Sequence, residues 1–311
     1  MKSGFSHVFL LLVSLMAASG AFAETGKLLL TGGVTSIDGA AGGGISPWAV
    51  IGSNATEGEF GGSVSVTRAV TKDYALSGYS AGVAWNERVE LSIAHQDFDA
   101  GPAVGLNDIA NFGVEAGQHI KMDVLGVKVR VAGDAVLEAD SWMPQVSVGA
   151  LYKRVNPGSI DSVFDFLGAK KQGVDVYVSA TKLFLEQSVL VNGTLRVSKA
   201  NQNGLLGFGA DSPGRNGYSV RPEVSVAYLI NKNLAVGAEY RAKPNNLEAL
   251  GRANGLGDAL REDASKDLFV AWAPSKNLSL TLAYVDLGRI VPGITKGRRQ
   301  TGYYLSAQVA F

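Results

Sequence analysis

The chain has 311 residues, of which 46% are hydrophobic and 18% charged, and its 28 basic and 28 acidic residues give a formal net charge of zero. This balance lacks the basic footprint of a nucleic-acid-binding protein, and the absence of cysteine excludes disulfides, thiol catalysis and cysteine-based metal sites. Soluble domains carry about 25% charged residues. The 39 glycines and the many Val, Leu and Tyr residues favour strands and tight turns.

The N-terminus predicts a secretory signal peptide over residues 1–23. Lys2 precedes an apolar run from Val8 to Ala18, and Ala21-Phe22-Ala23 is a small-x-small cleavage site. The run is far shorter than the roughly 20 residues that a membrane anchor helix needs. We therefore expect export and cleavage after Ala23, with residues 24–311 forming a single domain. No later window is long and apolar enough for a transmembrane helix.

The rest of the chain predicts short strands separated by turn residues. Fourteen windows follow in chain order: 27–35, 44–53, 58–70, 74–85, 88–97, 119–132, 141–154, 174–185, 188–199, 218–230, 233–243, 266–274, 277–288 and 302–311. The first two are rich in glycine, which weakens strand interiors and marks close backbone approach. They either form strands or run inside a lumen, which would leave twelve strands.

One hairpin pattern recurs along the chain. It is found in the segments 84–95, 227–240 and 271–284. Each has an alanine and an aromatic residue, a few polar turn residues, and then a strand with an apolar residue at every second position. In the first segment Val89, Leu91 and Ile93 share one face, while Glu90 and Ser92 point the other way. Each of these strands therefore has one apolar face.

From Trp85 onward, short and long connections alternate. The short ones are 86–87, 133–140, 186–187, 231–232 and 275–276, and the long ones are 98–118, 155–173, 200–217, 244–265 and 289–301. Outer-membrane barrels have short periplasmic turns on one rim and long extracellular loops on the other. We therefore predict an all-β fold, a transmembrane antiparallel β-barrel of about 14 strands, or 12 with the glycine-rich segment in the lumen. The location is the Gram-negative outer membrane.

Aromatic residues next to the short turns predict an interface girdle. Trp85, Trp142, Tyr228 and Trp272 occupy these positions. The alternative is that they are core aromatics at the end of a β-sandwich. Phe311 ends the last strand, and we interpret it as a terminal signal for the envelope barrel-assembly machinery.

Charged residues on the polar faces of the strands predict a lumen lining. They are Glu90, Lys128, Arg130, Lys153, Arg196, Arg221, Glu223, Glu239 and Arg241. A lysine or arginine on the lipid face at the bilayer midplane costs about 2–4 kcal/mol, so these side chains must face inward. Either they line a wet pore or they form an ion-pair network that fills the lumen.

Two loop segments invite a functional interpretation. Residues 159–168 place apolar residues at helical spacing between Ser159, a candidate N-cap, and Gly168, a stop signal. This short helix either constricts the mouth or lies over the rim, which we favour. The run DGAAGGGIS (38–46) lacks the residues and the following helix of a phosphate-binding loop, so its glycines indicate tight packing against the barrel wall.

The two histidines downstream of the predicted signal peptide carry no recognisable catalytic or metal site. His95 continues the lipid-facing parity near the outer rim, but no spacing supplies a nucleophile and an orienting group. His119 and Asp123 do not make a ligand set. We predict no catalytic residue, no metal site and no cofactor.

Four segments resemble one protein family. They are GKLLLTGGVTSIDGAAGGGISPWAVIG, DVLGVKVRVAGDAVLEADSWMPQVSVG, VSATKLFLEQSVLVNGTLRVSKANQ and AVGAEYRAKPNNL. Together they resemble the exported Gram-negative proteins of domain of unknown function family three thousand and thirty-four, most specifically at Pro47-Trp48. The resemblance implies an envelope protein of barrel type and carries over no site residues.

The function that we predict is a non-enzymatic channel or transporter for small solutes. Its expected partners are outer-membrane lipid, the barrel-assembly machinery and a small solute, and they include no nucleic acid. The alternative is a plugged structural or binding barrel that acts through its extracellular loops, and a lipid-modifying barrel enzyme comes third. The sequence does not choose an oligomeric state.

Overall fold

The computed structural model describes residues 30, 33–109, 111–134 and 142–311, and the predicted signal peptide lies outside them. Twelve long strands form a closed antiparallel barrel in which neighbours in the chain are neighbours in the sheet. They are β3 (Phe60–Thr71), β4 (Ala75–Trp85), β5 (Val89–Asp99), β6 (His119–Ala132), β7 (Gln145–Asn156), β8 (Gln172–Phe184), β9 (Val189–Ser198), β10 (Ser219–Asn231), β11 (Leu234–Arg241), β12 (Ser265–Ser275), β13 (Leu278–Arg289) and β14 (Arg299–Ala310). The all-β barrel prediction is confirmed.

The last strand closes the barrel against the first one. β14 pairs with β3 over nine residue pairs, from Gly302↔Thr71 to Ala310↔Ser63. Phe311 extends this pairing, because its amide donates to the Gly62 carbonyl at 2.9 Å and its carbonyl accepts from the Gly62 amide at 2.8 Å. Closure pairs both strands that would otherwise be open edges.

The strand count is twelve, which is the second of the two predicted values. The windows at 27–35 and 44–53 contribute no wall strand in the described residues. The end of the first window forms β1 (Val34–Thr35), which pairs with β2 (Ala41–Gly42), between the two windows, in a separate two-stranded sheet. Glycine has no side chain to pack on either face of a wall strand, so this segment loses little by leaving the sheet.

Side chains alternate between the two faces of the wall as the sequence predicts. Leu91, Leu125, Leu282 and Leu305 are 52–56% exposed on the outside. Their inward neighbours, such as Glu90, are buried. The outer surface between the rims is thus apolar, and the inner surface carries the polar residues.

The connections divide the barrel into a turn rim and a loop rim. The turn rim has the connections 86–88, 133–144, 185–188, 232–233 and 276–277, and Phe311 lies on the same side. The loop rim has one tight turn, 72–74, and the longer connections 100–118, 157–171, 199–218, 242–264 and 290–298. The predicted alternation from Trp85 onward is present, although 133–144 is longer than a tight turn.

The loop rim carries the helices. They are α1 (Asp161–Leu167), α2 (Glu248–Ala253) and three 3-10 helices at Gly101–Asp108, Gly158–Ile160 and Asn201–Gly204. The helix predicted over 159–168 is therefore α1, and Gly168 ends it with φ = 63°. Ser159 is not its N-cap, because Ile160 occupies that position and the Ser159 hydroxyl donates to Gln118 Oε1 at 2.6 Å. Among the described residues, no helix has both the length and the apolar character to cross a membrane.

The outward parity makes a direct prediction for Leu282, which lies midway along β13. Leu282→Arg puts a charge on the apolar face and should destabilise the barrel in lipid vesicles by about 2–4 kcal/mol. Thr301→Arg, on the same face of β14 near the loop rim, should cost about 0–1 kcal/mol. Denaturant titration of both variants in vesicles measures the difference, and equal stabilities would contradict the assignment of the outer face.

Candidate functional site: the luminal segment and the cavity above it

Residues 33–55, here called the luminal segment, run through the interior of the barrel, and nearly all of them are buried. Side chains from β5 to β11 and from β14 bind the segment, so the wall surrounds it. Glycine permits close contact where the segment touches the wall. A Cβ atom on Gly43 would lie 2.0 Å from Glu239 Oε1. The predicted role of these glycines in tight packing agrees with this contact.

A buried ion pair on β5 and β6 binds the segment on one side. Glu90 accepts from the amides of Ala41 at 2.9 Å and Gly52 at 2.7 Å. Lys128 Nζ donates to the carbonyls of Ala41 at 2.8 Å and Val50 at 2.7 Å, and lies 3.1 Å from Glu90 Oε2. The pair thus satisfies backbone donors and acceptors of a segment that is not part of the wall.

Hydroxyl and amide side chains of β7 to β9 bind the next part of the segment. The Pro47 carbonyl accepts from Thr194 at 2.8 Å, and the Ala49 carbonyl accepts from Gln145 at 2.7 Å. Thr181 accepts from the Ala49 amide at 2.8 Å. Inward polar residues of the wall therefore take the place of strand neighbours for the luminal segment.

Trp48 fixes the same part of the segment by its ring. It is buried, and its indole N–H donates to Ser225 Oγ at 3.0 Å. This fourth tryptophan therefore lies in the lumen and not at a rim.

Asp38 joins the segment to an ion network on β7 to β11. Its carboxylate lies 3.0 Å from Lys153 Nζ, 3.5 Å from Arg196 Nη1 and 3.1 Å from Arg241 Nη1. The wall supplies two further carboxylates, Asp175 and Glu223. Three cations thus face three anions, and one of the three anions comes from the luminal segment.

The structure brings together seven of the nine predicted lining residues in the buried interior: Glu90, Lys128, Lys153, Arg196, Glu223, Glu239 and Arg241. The other two lie near the rims and are partly exposed. Arg130 is paired with Asp134 at 3.2 Å at the turn rim, and Arg221 donates to the Pro244 carbonyl at 3.2 Å at the loop rim. Whether any of these residues lines a conducting path remains a prediction.

Sequence reasoning missed Asp38 and Asp175. Asp175 had a usable signal, because it shares the inward parity of Tyr177 and Ser179 on β8. Asp38 had no such signal, since the glycine-rich segment around it shows no alternation of polar and apolar residues.

The predicted girdle residues lie on the outside, close to the turn rim. Trp85, Trp142, Tyr228 and Trp272 are 50%, 89%, 51% and 49% exposed. Phe60 stacks on Trp85 with ring centroids 6.1 Å apart. Their role at a membrane interface, like that of Phe311 in assembly, remains a prediction.

The two histidines lie on the outer surface near the loop rim, each beside an aspartate. His95 Nδ1 is 2.7 Å from Asp123 Oδ1, and His119 Nδ1 is 2.6 Å from Asp97 Oδ1. Both are contacts between β5 and β6. In the described part of the chain, no group of three histidine, aspartate or glutamate side chains is arranged to hold a metal ion.

Above the luminal segment, toward the loop rim, lies a cavity of about 150 Å³. We call it the loop-side cavity. Its floor includes Ile37 and Ile45 of the luminal segment, and its walls include Phe98 and Ile120 of the barrel. Most of the other lining residues are apolar side chains of the long loops.

Helix α1 turns its apolar stripe toward this cavity. Ile160, Val163 and Leu167 line it, and together with Phe164 they belong to the buried apolar cluster of the loop-side half. The stripe packs against apolar residues of other loops, such as Leu247, and of the wall, such as Ile120. Whether the helix constricts the mouth or lies over the rim remains a prediction.

A chain of buried and partly buried polar contacts lies beside the cavity, in the loops at 199–218 and 242–264. Glu262 accepts from the Gln202 amide at 2.9 Å, and Lys243 Nζ donates to Gln202 Oε1 at 2.9 Å. Burial raises the pKa of Glu262 to about 7, with Lys243 opposing the shift. Burial also lowers the pKa of Lys243 to about 8, with Glu262 opposing. Both shifts arise because the loops exclude water from the two side chains.

The raised pKa of Glu262 predicts a pH dependence of stability. The native state holds this proton more tightly than the unfolded chain, whose glutamate has a pKa of 4.5, so stability falls as the pH rises from 4.5 to about 7. Lys243 acts above that range, because its lowered pKa of about 8 adds stability as the pH rises beyond 8. The fall in the free energy of unfolding between pH 4.5 and 7 is at most about 3 kcal/mol, and Glu262→Gln should remove it.

Unfolding titrations at pH 4.5 and 7 measure this effect. Glu248→Gln is the matched control, since that carboxylate pairs with the exposed Arg252 on α2. An identical pH profile for Glu262→Gln and the parent would show that Glu262 is not the responsible group.

Residues 31–308 match the family described as protein of unknown function (DUF3034). No curated protein matches the chain. Among solved structures the chain is similar to the NanC porin, at 9% identity over 79% of this chain and 98% of that one, with a TM-score of 0.49. The KdgM porin is 9% identical over 80% of this chain and 99% of that one, with a TM-score of 0.48. Outer membrane phospholipase A from Escherichia coli is 8% identical over 80% of this chain and 92% of that one, with a TM-score of 0.41.

These TM-scores are too low to carry an argument about what the chain binds or does. The family match covers nearly the whole sequence and agrees with the resemblance carried by the four segments. The chain therefore belongs to the DUF3034 family.

Proposed function

We propose that this protein is a Gram-negative outer-membrane channel or transporter for small solutes, and that the luminal segment is its gate. The observation that carries the proposal is the independence of the wall: β3 to β14 form a closed ring without any strand from residues 33–55. The segment can therefore move without opening the sheet.

Membrane insertion is supported by the outer surface. Large apolar side chains such as Leu91, Leu282 and Leu305 are about half exposed there, and exposed apolar surface of this extent marks a membrane or protein contact. The aromatic residues at the turn rim and the long loops at the other rim support an orientation with Phe311 in the periplasm.

Gating is supported by the chemistry of the lumen. The segment is bound chiefly by hydrogen bonds and ion pairs from the wall, at Glu90, Lys128 and the network around Asp38. Water can replace each of these bonds when the segment leaves, because the wall groups that make them are polar. It does not replace the apolar contacts of Trp48 and Val50 with wall residues such as Leu183 and Phe269. An apolar plug in an apolar lumen would have no comparable substitute.

The proposal involves no enzymatic step. His95 and His119 lie on the outer surface beside Asp123 and Asp97, away from the lumen. A plugged barrel that acts only through its loops is the competing function, and conductance separates it from a gated channel.

Planar-bilayer recording of the purified protein tests the gate. The parent should give rare or no conductance steps, and deletion of residues 33–55 should give frequent ohmic steps, because the polar lumen then fills with water. A deletion variant that folds, as shown by heat-modifiable migration in gels, yet never conducts would contradict the proposal.

A point change should loosen the gate without shortening the chain. Asp38→Asn leaves Lys153, Arg196 and Arg241 with only two carboxylates, and breaking a buried ion pair by removing one partner costs about 3–5 kcal/mol. Chemical accessibility of Ser46 reports the result. The chain has no cysteine, and the Ser46 hydroxyl is buried without a hydrogen-bond partner, so Ser46→Cys removes no bond.

Maleimide should label Cys at position 46 slowly in the parent background and at least tenfold faster with Asp38→Asn. Asp134→Asn, which affects the Arg130 pair at the turn rim, is the matched control and should leave the rate unchanged. Equal labelling of the Asp38 and Asp134 variants would mean that the ion network does not hold the segment.

A further inference from the structure

We propose that the loop-side cavity binds a small, uncharged apolar molecule of roughly the size of benzene or toluene, and that this is the class of solute which the barrel handles. The role as solute rests on the proposed function; the binding site itself does not. The proposal combines the cavity's lining, its volume and its position above the gate.

The lining offers apolar contacts from every side. Leu106 and Ile294 come from two different loops, Leu167 from α1, and Leu76 and Phe98 from the wall. The interior of an outer-membrane barrel is ordinarily polar. An apolar chamber at this place needs an explanation other than the fold itself.

The charged groups at the edge of the cavity are already bound to the protein. Lys243 Nζ donates to Gln202 Oε1 and to the Leu287 carbonyl, both at 2.9 Å. Arg241 donates to Asp38 at 3.1 Å and to the Ile45 carbonyl at 2.9 Å. A ligand carboxylate or phosphate would have to displace these partners, so the site favours a neutral molecule.

The volume sets the size of that molecule. An apolar protein cavity of about 150 Å³ stays dry and takes up benzene or xenon, and the loop-side cavity has the same volume of about 150 Å³. Most of the lining is apolar and supplies few of the two to four polar partners that a water molecule needs, although the Tyr304 hydroxyl in it is without one. An apolar ring removes its whole surface from water and contacts the lining on all sides.

The position links the occupant to the gate. Ile37 and Ile45 form part of the floor, and the backbone of Ile45 is bound to Glu239 through its amide at 2.9 Å and to Arg241 through its carbonyl. Arg241 in turn holds Asp38. A ligand that presses on Ile45 therefore acts on the ion network that retains the luminal segment.

The site is tested by measuring the binding of fluorobenzene by ¹⁹F NMR. The sample is the full-length mature protein in detergent micelles. The parent should show a saturable component above the linear partitioning into micelles, and toluene should compete for it while benzoate should not. Ala103→Phe places a ring in the cavity and should weaken the saturable component at least tenfold. Ala307→Phe, on the outer face of β14, is the matched control and should bind like the parent.

Leu106→Trp provides a second way to fill the cavity if Ala103→Phe does not fold, and the same loss is expected. No saturable component in the parent, equal binding by the cavity variants and Ala307→Phe, or competition by benzoate as strong as by toluene would each overturn the proposal. Conductance after deletion of residues 33–55 is independent of these results. If the parent shows no saturable binding while the deletion variant conducts, only the solute class is rejected. If the parent binds while the deletion variant does not conduct, only the channel is rejected.

Discussion

The interior of the barrel depends on one constraint: charges and backbone groups that face a narrow lumen must find partners there. The wall directs Lys153, Arg196 and Arg241 inward but supplies only two carboxylates, Asp175 and Glu223, in the same network. The luminal segment supplies the third through Asp38, and in return its unpaired amides and carbonyls are bound by wall side chains. While the segment fills the lumen and excludes water, each part supplies the partners of the other's buried polar groups, so the wall determines where the segment lies.

The wall was predictable because its signal is local. Strands such as β5 and β13 show an alternation of polar and apolar residues within a few positions. The alternating lengths of the connections distinguish the two rims. The path of residues 33–55 was not predictable, since a glycine-rich segment shows no alternation of polar and apolar residues. The partners of Asp38 also lie more than a hundred positions away in the sequence. The charged wall residues were found by parity, but whether they surround water or a polypeptide depends on that same distant pairing.

The loops illustrate the same limit from the apolar side. Helical spacing predicted α1 and its stripe of Ile160, Val163 and Leu167, but the spacing contains no information about what the stripe contacts. Its partners come from other loops and from the barrel wall, including Leu106, Leu247 and Ile120. A set of residues that meets only after the barrel has closed leaves no pattern in any single segment. The cavity they enclose could therefore not be inferred from the sequence.

The lumen thus holds two environments in contact with each other, an apolar chamber near the loops and a polar gate below it. The luminal segment belongs to both, because Ile37 and Ile45 face the chamber while Asp38 and the amide of Ile45 face the charged wall. These side chains lie within nine positions of one another, on a segment in which β1 and β2 pair with each other. Displacing Ile45 toward the gate shifts the carbonyl that Arg241 holds, and releasing Asp38 removes support from the chamber floor. If the chamber binds a ligand and the segment is the gate, as we propose, these shared residues couple the two, and by linkage each must then affect the other.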